Sequence, residues 1–241
     1  MFRDKKKLNF ISSLSTVSYI ITKYQKTMKK LLFIGDSFTA GENNNFISYA
    51  QYLDKNNDST QIGVAGTTIG EYSLYLVDGF SLLSQIQRYK DDISKAGTIF
   101  LEYGINDISS MLGNKVSYQQ ILDKLDQAIS TLNQINPNAK IKFLVLSLDN
   151  EVIISYANNH HEYLTKYFYP DQDINHIKQM WADNYIKLIK DISNRLETIP
   201  MILNLNQLKK YFAKNTMHPS KEGYKQIANN INLYLLSKEI R

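Results

Sequence analysis

The stretch Leu31-Leu32-Phe33-Ile34-Gly35-Asp36-Ser37-Phe38-Thr39-Ala40-Gly41 decides the fold. Four consecutive large apolar residues are too few for a buried helix and show no polar alternation. They read as a strand covered on both faces, and Gly35-Asp36 then turns the chain. Comparable runs recur at residues 61–65, 98–103, 141–147 and 201–205, each bounded by turn residues or helix ends. Between them lie amphipathic helices. Residues 117–135 set Ile121, Leu122, Leu125, Ile129 and Leu132 on one face before Pro137 and Asn138 stop the helix. Residues 176–197 carry Ile177, Met180, Trp181, Tyr185, Leu188, Ile189 and Ile192. A last helix starts with Ser220 as N-cap and runs through Tyr224, Ile227, Ala228, Ile231 and Leu235. Alternating strands and helices predict an α/β domain, a five-stranded parallel sheet with helices on both faces. Right-handed crossovers then bring every strand's C-terminal end to one edge, and the loops there build the site.

Composition narrows the function classes. The 241 residues suffice for one large domain with a full core. Ten Gly and four Pro offer no linker. The net charge of +5 is concentrated in residues 1–27, where Arg3, Lys5, Lys6, Lys7, Lys23 and Lys26 face only Asp4; residues 28–241 are neutral. A nucleic-acid groove needs clustered basic charge on the folded body, so that partner is not expected. With no cysteine, disulfides, thiol nucleophiles and thiolate metal sites are excluded.

Residues 1–27 read as an N-terminal extension. Lys5 to Lys7 followed by residues 8–21 resemble the start of a signal peptide, but Asn9, Ser12, Ser13, Ser15, Thr16 and Ser18 interrupt the run and no small-x-small cleavage site follows. The stretch is also too short and too polar for a stable membrane span. A loosely structured extension, or a start at Met28, is the favoured reading. It places the protein in the cytoplasm, with export following if the extension acts as a signal.

Four loops on the predicted edge carry polar residues. After the first strand, Ser37 can present its hydroxyl at a strand-to-helix turn; alone, Gly35-Asp36-Ser37 reads as a turn with a Ser N-cap. After the second, Gly66 lets a backbone N–H approach an oxyanion. After the third, Gly104-Ile105-Asn106-Asp107 offers the Asn106 amide as a donor. Near the C-terminus, Asn215-Thr216-Met217-His218-Pro219 holds a loop histidine suited to act as a base. The other histidines, adjacent His160 and His161 and helix-start His176, read as surface or cap residues rather than metal ligands.

In this order and on these loops, the four segments resemble the SGNH/GDSL hydrolase (esterase/lipase) family, named for Ser, Gly, Asn and His, here Ser37, Gly66, Asn106 and His218. The resemblance spans about residues 29–237. It implies a three-layer α/β/α, flavodoxin-like fold and acyl-ester hydrolysis with neither metal nor cofactor. His218 would take the proton of Ser37, and an acyl-enzyme would form and be cleaved by water. The backbone N–H groups of Ser37 and Gly66 and the Asn106 side chain would form the oxyanion hole. The implied partner is a small ester, an acylated sugar or a lipid. The alternatives are an inactive or weak member binding acylated or glycan ligands, and an acyltransferase working through the same intermediate.

One departure stands out. The family carries Asp three residues before the histidine, and this chain carries Asn215; no acid occurs in residues 205–221. If the Asn215 amide donates to the imidazole, the wrong tautomer results, a change that costs about 10⁴-fold in a serine protease. If its carbonyl accepts, only charge stabilisation is lost. Asp149 or Glu151, or a backbone carbonyl, are the other substitutes. Residues 148–175 form a cap-like insertion rich in rings, with Tyr156, Tyr163, Tyr167, Phe168 and Tyr169 either shaping a pocket or packing on the sheet.

Overall fold

The computed structural model describes residues 30–54, 57–73, 79–160, 173–212 and 216–239. Five strands, β1 (Leu31–Gly35), β2 (Ser59–Gly63), β3 (Thr98–Glu102), β4 (Lys140–Val145) and β5 (Glu197–Pro200), form one sheet in the order β2-β1-β3-β4-β5. All four pairings are parallel. The helices are α1 (Ser37–Ala40), α2 (Leu82–Arg88), α3 (Lys90–Lys95), α4 (Ile105–Leu112), α5 (Tyr118–Ile135), α6 (Asn150–Asn159), α7 (Ile174–Ser193), α8 (Leu205–Tyr211) and α9 (Lys221–Glu239), with a 3₁₀ turn at Tyr49–Tyr52. They cover both sides of the sheet, giving the predicted three-layer α/β/α architecture.

The central strands β1 and β3 are buried along their whole length, as expected of strands covered on both faces. Phe33 and Phe100, partners in the β1–β3 register, stack with ring centroids 4.7 Å apart. On one side α2 and α3 pack on α5, and α4 packs on α7; elsewhere α9 packs on the 3₁₀ turn and on α8. Ser117 caps α5 by accepting from Gln120 N. Ser220 begins α9, its hydroxyl accepting from Gly223 N and its carbonyl from Tyr224 N.

The edge strands differ from the sequence reading. β2 starts two residues earlier than the apolar run at 61–65, and β5 is Glu197–Pro200 rather than residues 201–205. An edge strand has one neighbour, so hydrophobicity marks it poorly, and Pro200 costs no ladder bond on its open side. In the β5 register Glu197 lies opposite Lys142 on β4 and pairs with it and with Lys238 on α9. Met201 and Ile202 continue alongside β4 through bonds to Val145 O and Leu146 O, as a buried exit from the strand. Among the described residues no helix is long and apolar enough to cross a membrane.

Candidate active site

The chain moves from β1 outward to β2 and then back across to β3, so the strand order reverses between β1 and β3. At such a switch point the following loops diverge and leave a crevice. Gly35 closes β1 there. A Cβ on it would meet Thr39 Oγ1 at 2.1 Å and the Glu102 carbonyl at 2.8 Å, so only glycine lets α1 fold back this tightly. Asp36, not Ser37, caps α1: its carboxylate accepts from Phe38 N at 3.1 Å. Ser37 is thereby moved into the first turn and is almost buried, at 8% exposure. Its hydroxyl reaches Asp36 Oδ1 only at 3.5 Å, a weak tether.

Three acids lie beneath this loop. Glu102, at the end of β3, accepts from Asp36 N at 3.3 Å and from Thr39 Oγ1 at 3.2 Å; Thr39 in turn contacts Tyr49 OH at 2.6 Å. Burial, together with the neighbouring Glu102 charge, raises Asp36 well above its ordinary value. Asp107 accepts from Ile69 N, Tyr72 OH and Gly104 N, which ties the loops after β2 and β3 together. Burial pushes it up to about 6 despite these donors. Between its ordinary value of 3.8 and about 6 the folded protein keeps a proton that the unfolded chain has released. Stability from this group is therefore lost as pH rises through that window. The advantage of wild type over Asp107→Asn in urea unfolding is expected to shrink from pH 4 to pH 6 and then level off. A pH-independent difference would rule this out.

The loop after β2 carries Gly66 in the left-handed region, with φ of 75°. Its carbonyl accepts from Ser73 Oγ. The N–H groups of Ser37 and Gly66 take no partner among the described residues. Asn106, buried in the first turn of α4, uses both amide hydrogens: one goes to Asp36 Oδ2 and one to the Thr67 carbonyl, each at 3.0 Å. Asn106 thus binds the loop of Ser37 to the loop of Gly66, and donation to any further acceptor requires exchange of one of these bonds.

His218 comes from the other end of the chain. Pro219 bridges to Phe212, and Tyr156 OH donates to the Met217 carbonyl at 3.0 Å; together they fix the loop. The imidazole is buried and packs against Phe38, the residue after Ser37, with ring centroids 5.8 Å apart. Burial, aided by the nearby His160, lowers its pKa to about 4, so the ring is neutral at pH 7. Its nitrogens face the loop after α1: Asn43 Nδ2 lies 3.4 Å from Nδ1 and Glu42 Oε2 lies 3.4 Å from Nε2. No hydrogen bond joins Ser37 and His218 in this state.

Asn215, His161, Tyr163, Tyr167, Phe168 and Tyr169 lie outside the described residues. Asp149 caps α6 by accepting from Glu151 N, and both acids are exposed; neither contacts His218. His160 ends α6 as its C-cap but is buried rather than on the surface, stacked on Tyr156 with Nδ1 on the Tyr156 carbonyl at 2.8 Å. The interior environment of α6 explains that correction: Tyr156 itself is fully buried beside Trp181 and Phe212, which makes it a packing residue. His176 is exposed in the first turn of α7. The sequence reading missed Glu42, Asn43 and Glu102. Glu102 carries a signal, a lone acid in an apolar strand; Glu42 and Asn43 carry none, because only the path of their loop brings them to His218.

A model of the GDSL-like lipase/acylhydrolase family matches residues 33–226. Among solved structures, a protein described as a lipolytic member of the G-D-S-L family from Desulfitobacterium hafniense DCB-2 aligns with a TM-score of 0.53 at 13% identity, covering 85% of this chain and 98% of its own. A lipase from a goat rumen metagenome gives 0.53 at 13%, with 85% and 96% covered. A family two carbohydrate esterase from Clostridium thermocellum, solved with cellohexaose, gives 0.53 at 14%, with 87% and 64% covered. At these identities the likeness is one of fold. No curated protein matches the chain.

Proposed function

The chain belongs to the GDSL-like lipase/acylhydrolase family, and from that premise we propose that it cleaves esters of short acyl groups, O-acetyl groups included, through an acyl-enzyme on Ser37 with His218 as base. The observation that carries this reading is that the loop of Ser37, whose hydroxyl is weakly tethered and whose N–H, like that of Gly66, takes no partner among the described residues, packs through Phe38 against the buried neutral imidazole of His218.

In the first step the His218 lone pair takes the Ser37 proton while Oγ bonds to the ester carbonyl carbon. The carbonyl electron pair moves to oxygen, facing the N–H groups of Ser37 and Gly66, with Asn106 as third donor after exchange. Collapse breaks the bond to the alcohol oxygen, which leaves with the proton from the imidazolium. Water then repeats the sequence and releases the acid. The contact between Asn43 and His218, at 3.4 Å, is weak enough to be exchanged for the serine hydroxyl. Hydrogen bonds of this kind are commonly long before substrate arrives. Carbohydrate esterases among the structural neighbours make acetylated sugars the natural substrates to try beside p-nitrophenyl acetate.

A fluorophosphonate probe tests the reading: labelling of Ser37 supports it, and an unlabelled serine favours a ligand-binding member, the reading suggested by the occupied Asn106 amide. The buried imidazole also sets the pH profile. A base with a pKa lowered to about 4 stays unprotonated in mild acid. The acid limb of kcat/KM is therefore expected well below the ordinary histidine value of about 6.5. A limb centred at 6.5 or above would show that the ring is solvated in the working enzyme.

A further inference from the structure

Glu102 is a buried acid that the proposed chemistry does not use. It ends β3 and is 1% exposed. Its Oε2 accepts from Asp36 N at 3.3 Å and from Thr39 Oγ1 at 3.2 Å, so it holds the chain on both sides of Ser37. Thr39 gives its one hydroxyl hydrogen to Glu102 and therefore accepts from Tyr49 OH. The Asp36 carboxyl extends the network. Its Oδ1 accepts from Phe38 N and, weakly, from Ser37 Oγ, and its Oδ2 accepts from Asn106 Nδ2 at 3.0 Å. Glu102 and Asp36 also act on each other through a side-chain hydrogen bond. The serine hydroxyl and one amide hydrogen of Asn106 thus both end on this pair of acids.

Two carboxyl groups in contact and fully buried do not both ionise unless a cation offsets them. Among the described residues no ion pair reaches Asp36, Glu102 or the neighbouring Asp107. The other titratable groups facing the pair are Tyr49 in the 3₁₀ turn, Tyr103 after β3, Tyr185 on α7 and Tyr224 on α9, all pushed up by burial. We propose that Glu102 is the positioning residue of Ser37, and that one proton shared between its carboxyl and that of Asp36 keeps the serine loop and Asn106 in place. With that proton present, Glu102 keeps its hold on Asp36 N, and Asp36 keeps the cap of α1 at Phe38 N. Its loss sets two charges against each other, pushes the Asp36 carboxyl off Phe38 N and Asn106, and moves Ser37 with it. Burial raises both carboxyls, and the Glu102 charge adds to the shift of Asp36. The unfolded chain has released both protons above the ordinary values of 3.8 and 4.5. The stability contributed by the retained proton is therefore lost as pH rises.

This assignment rests on the reading of Ser37 as nucleophile, and the test separates the two. Wild type, Glu102→Gln, Glu102→Ala and Ser37→Ala are compared as full-length proteins. Glu102→Gln reproduces the protonated acid, because the amide oxygen can accept from Asp36 N and Thr39 while the amide N–H donates to Asp36. At pH 8 Asp107, with a pKa of about 6, is ionised. The infrared difference between wild type and Glu102→Gln at that pH is expected to show the C=O stretch of one protonated carboxyl. On p-nitrophenyl acetate Glu102→Ala is expected to lose about 10²-fold in kcat with little change in KM, and Glu102→Gln to recover most of that loss. In urea the stability of Glu102→Gln relative to wild type should rise steadily from pH 6 to pH 9, because only wild type takes up this proton on folding. A missing carboxyl band, or a stability difference independent of pH, overturns the shared proton. Wild-type kcat in Glu102→Ala, or Glu102→Gln as slow as Glu102→Ala, overturns the positioning role. Hydrolysis that survives in Ser37→Ala removes the nucleophile instead, and the infrared band and urea series still decide whether the pair holds a proton.

Discussion

Replacing Ser37 by alanine is expected to lower turnover of p-nitrophenyl acetate by at least about 10³-fold while leaving the thermal midpoint almost unchanged. The size follows from the role. In a serine hydrolase the nucleophile, the base and their orienting group act as one unit, so removing one member costs about 10⁶-fold in the best-studied case and leaves only the oxyanion hole and binding. A contaminating esterase at about 0.1% of the wild-type activity would mask any larger loss, which is why the threshold is set at 10³. The unchanged stability follows from the geometry: the hydroxyl has one contact, at 3.5 Å, and the cap of α1 is supplied by Asp36. The pairing of lost activity with intact folding is what identifies chemistry rather than structure. Hydrolysis within tenfold of wild type by a purified, folded Ser37→Ala protein would remove the proposed mechanism.

The second large effect is on stability. Trp181 on α7 is fully buried, stacks on Tyr185 at 5.0 Å, and lies 5.8 Å from Tyr156 on α6. Its indole N–H reaches Ser109 Oγ on α4 at 3.3 Å. One side chain therefore joins α6, α7 and α4, the last being the helix that carries Asn106 and Asp107. Trp181→Ala leaves a large cavity, while the Ser109 hydroxyl keeps its bond to the Ile105 carbonyl, and is expected to cost about 3–5 kcal/mol. That is a large share of the roughly 5–15 kcal/mol that holds a domain together. Urea unfolding at pH 7 measures it; a loss below about 1 kcal/mol would mean that the three helices close over the gap. Because α4 and the end of α6 both border the site, Trp181→Ala should also reduce hydrolysis, unlike Ser37→Ala, in parallel with its loss of stability.

The central strands were legible because each is a run of large apolar residues between turns, a pattern that few alternatives satisfy. β1 occurs as read, and β3 and β4 lie within a residue or two of their runs. β5 was misplaced because Met201 and Ile202 are more apolar than Thr198 and Pro200, yet the ladder to β4 runs through Glu197–Pro200. His160 reads from the sequence as a surface or cap residue; it is the C-cap of α6, but a histidine beside another histidine carries no sign of burial, and the packing of α6 against α7 covers it.

By itself the sequence determined the layered α/β architecture, the family, and the four loops on which Ser37, Gly66, Asn106 and His218 sit. These follow from periodicity and from short motifs whose meaning is local. Only the tertiary structure decided that Asp36 is buried beside Glu102, that Asn106 joins two loops, and that Glu42 and Asn43 lie against the imidazole. Those pairings join residues up to 176 positions apart through burial and backbone path, and neither is written in any window of the chain. A charge's neighbours in a folded protein are set by where the strands end and how the loops return, and that is a property of the whole sheet.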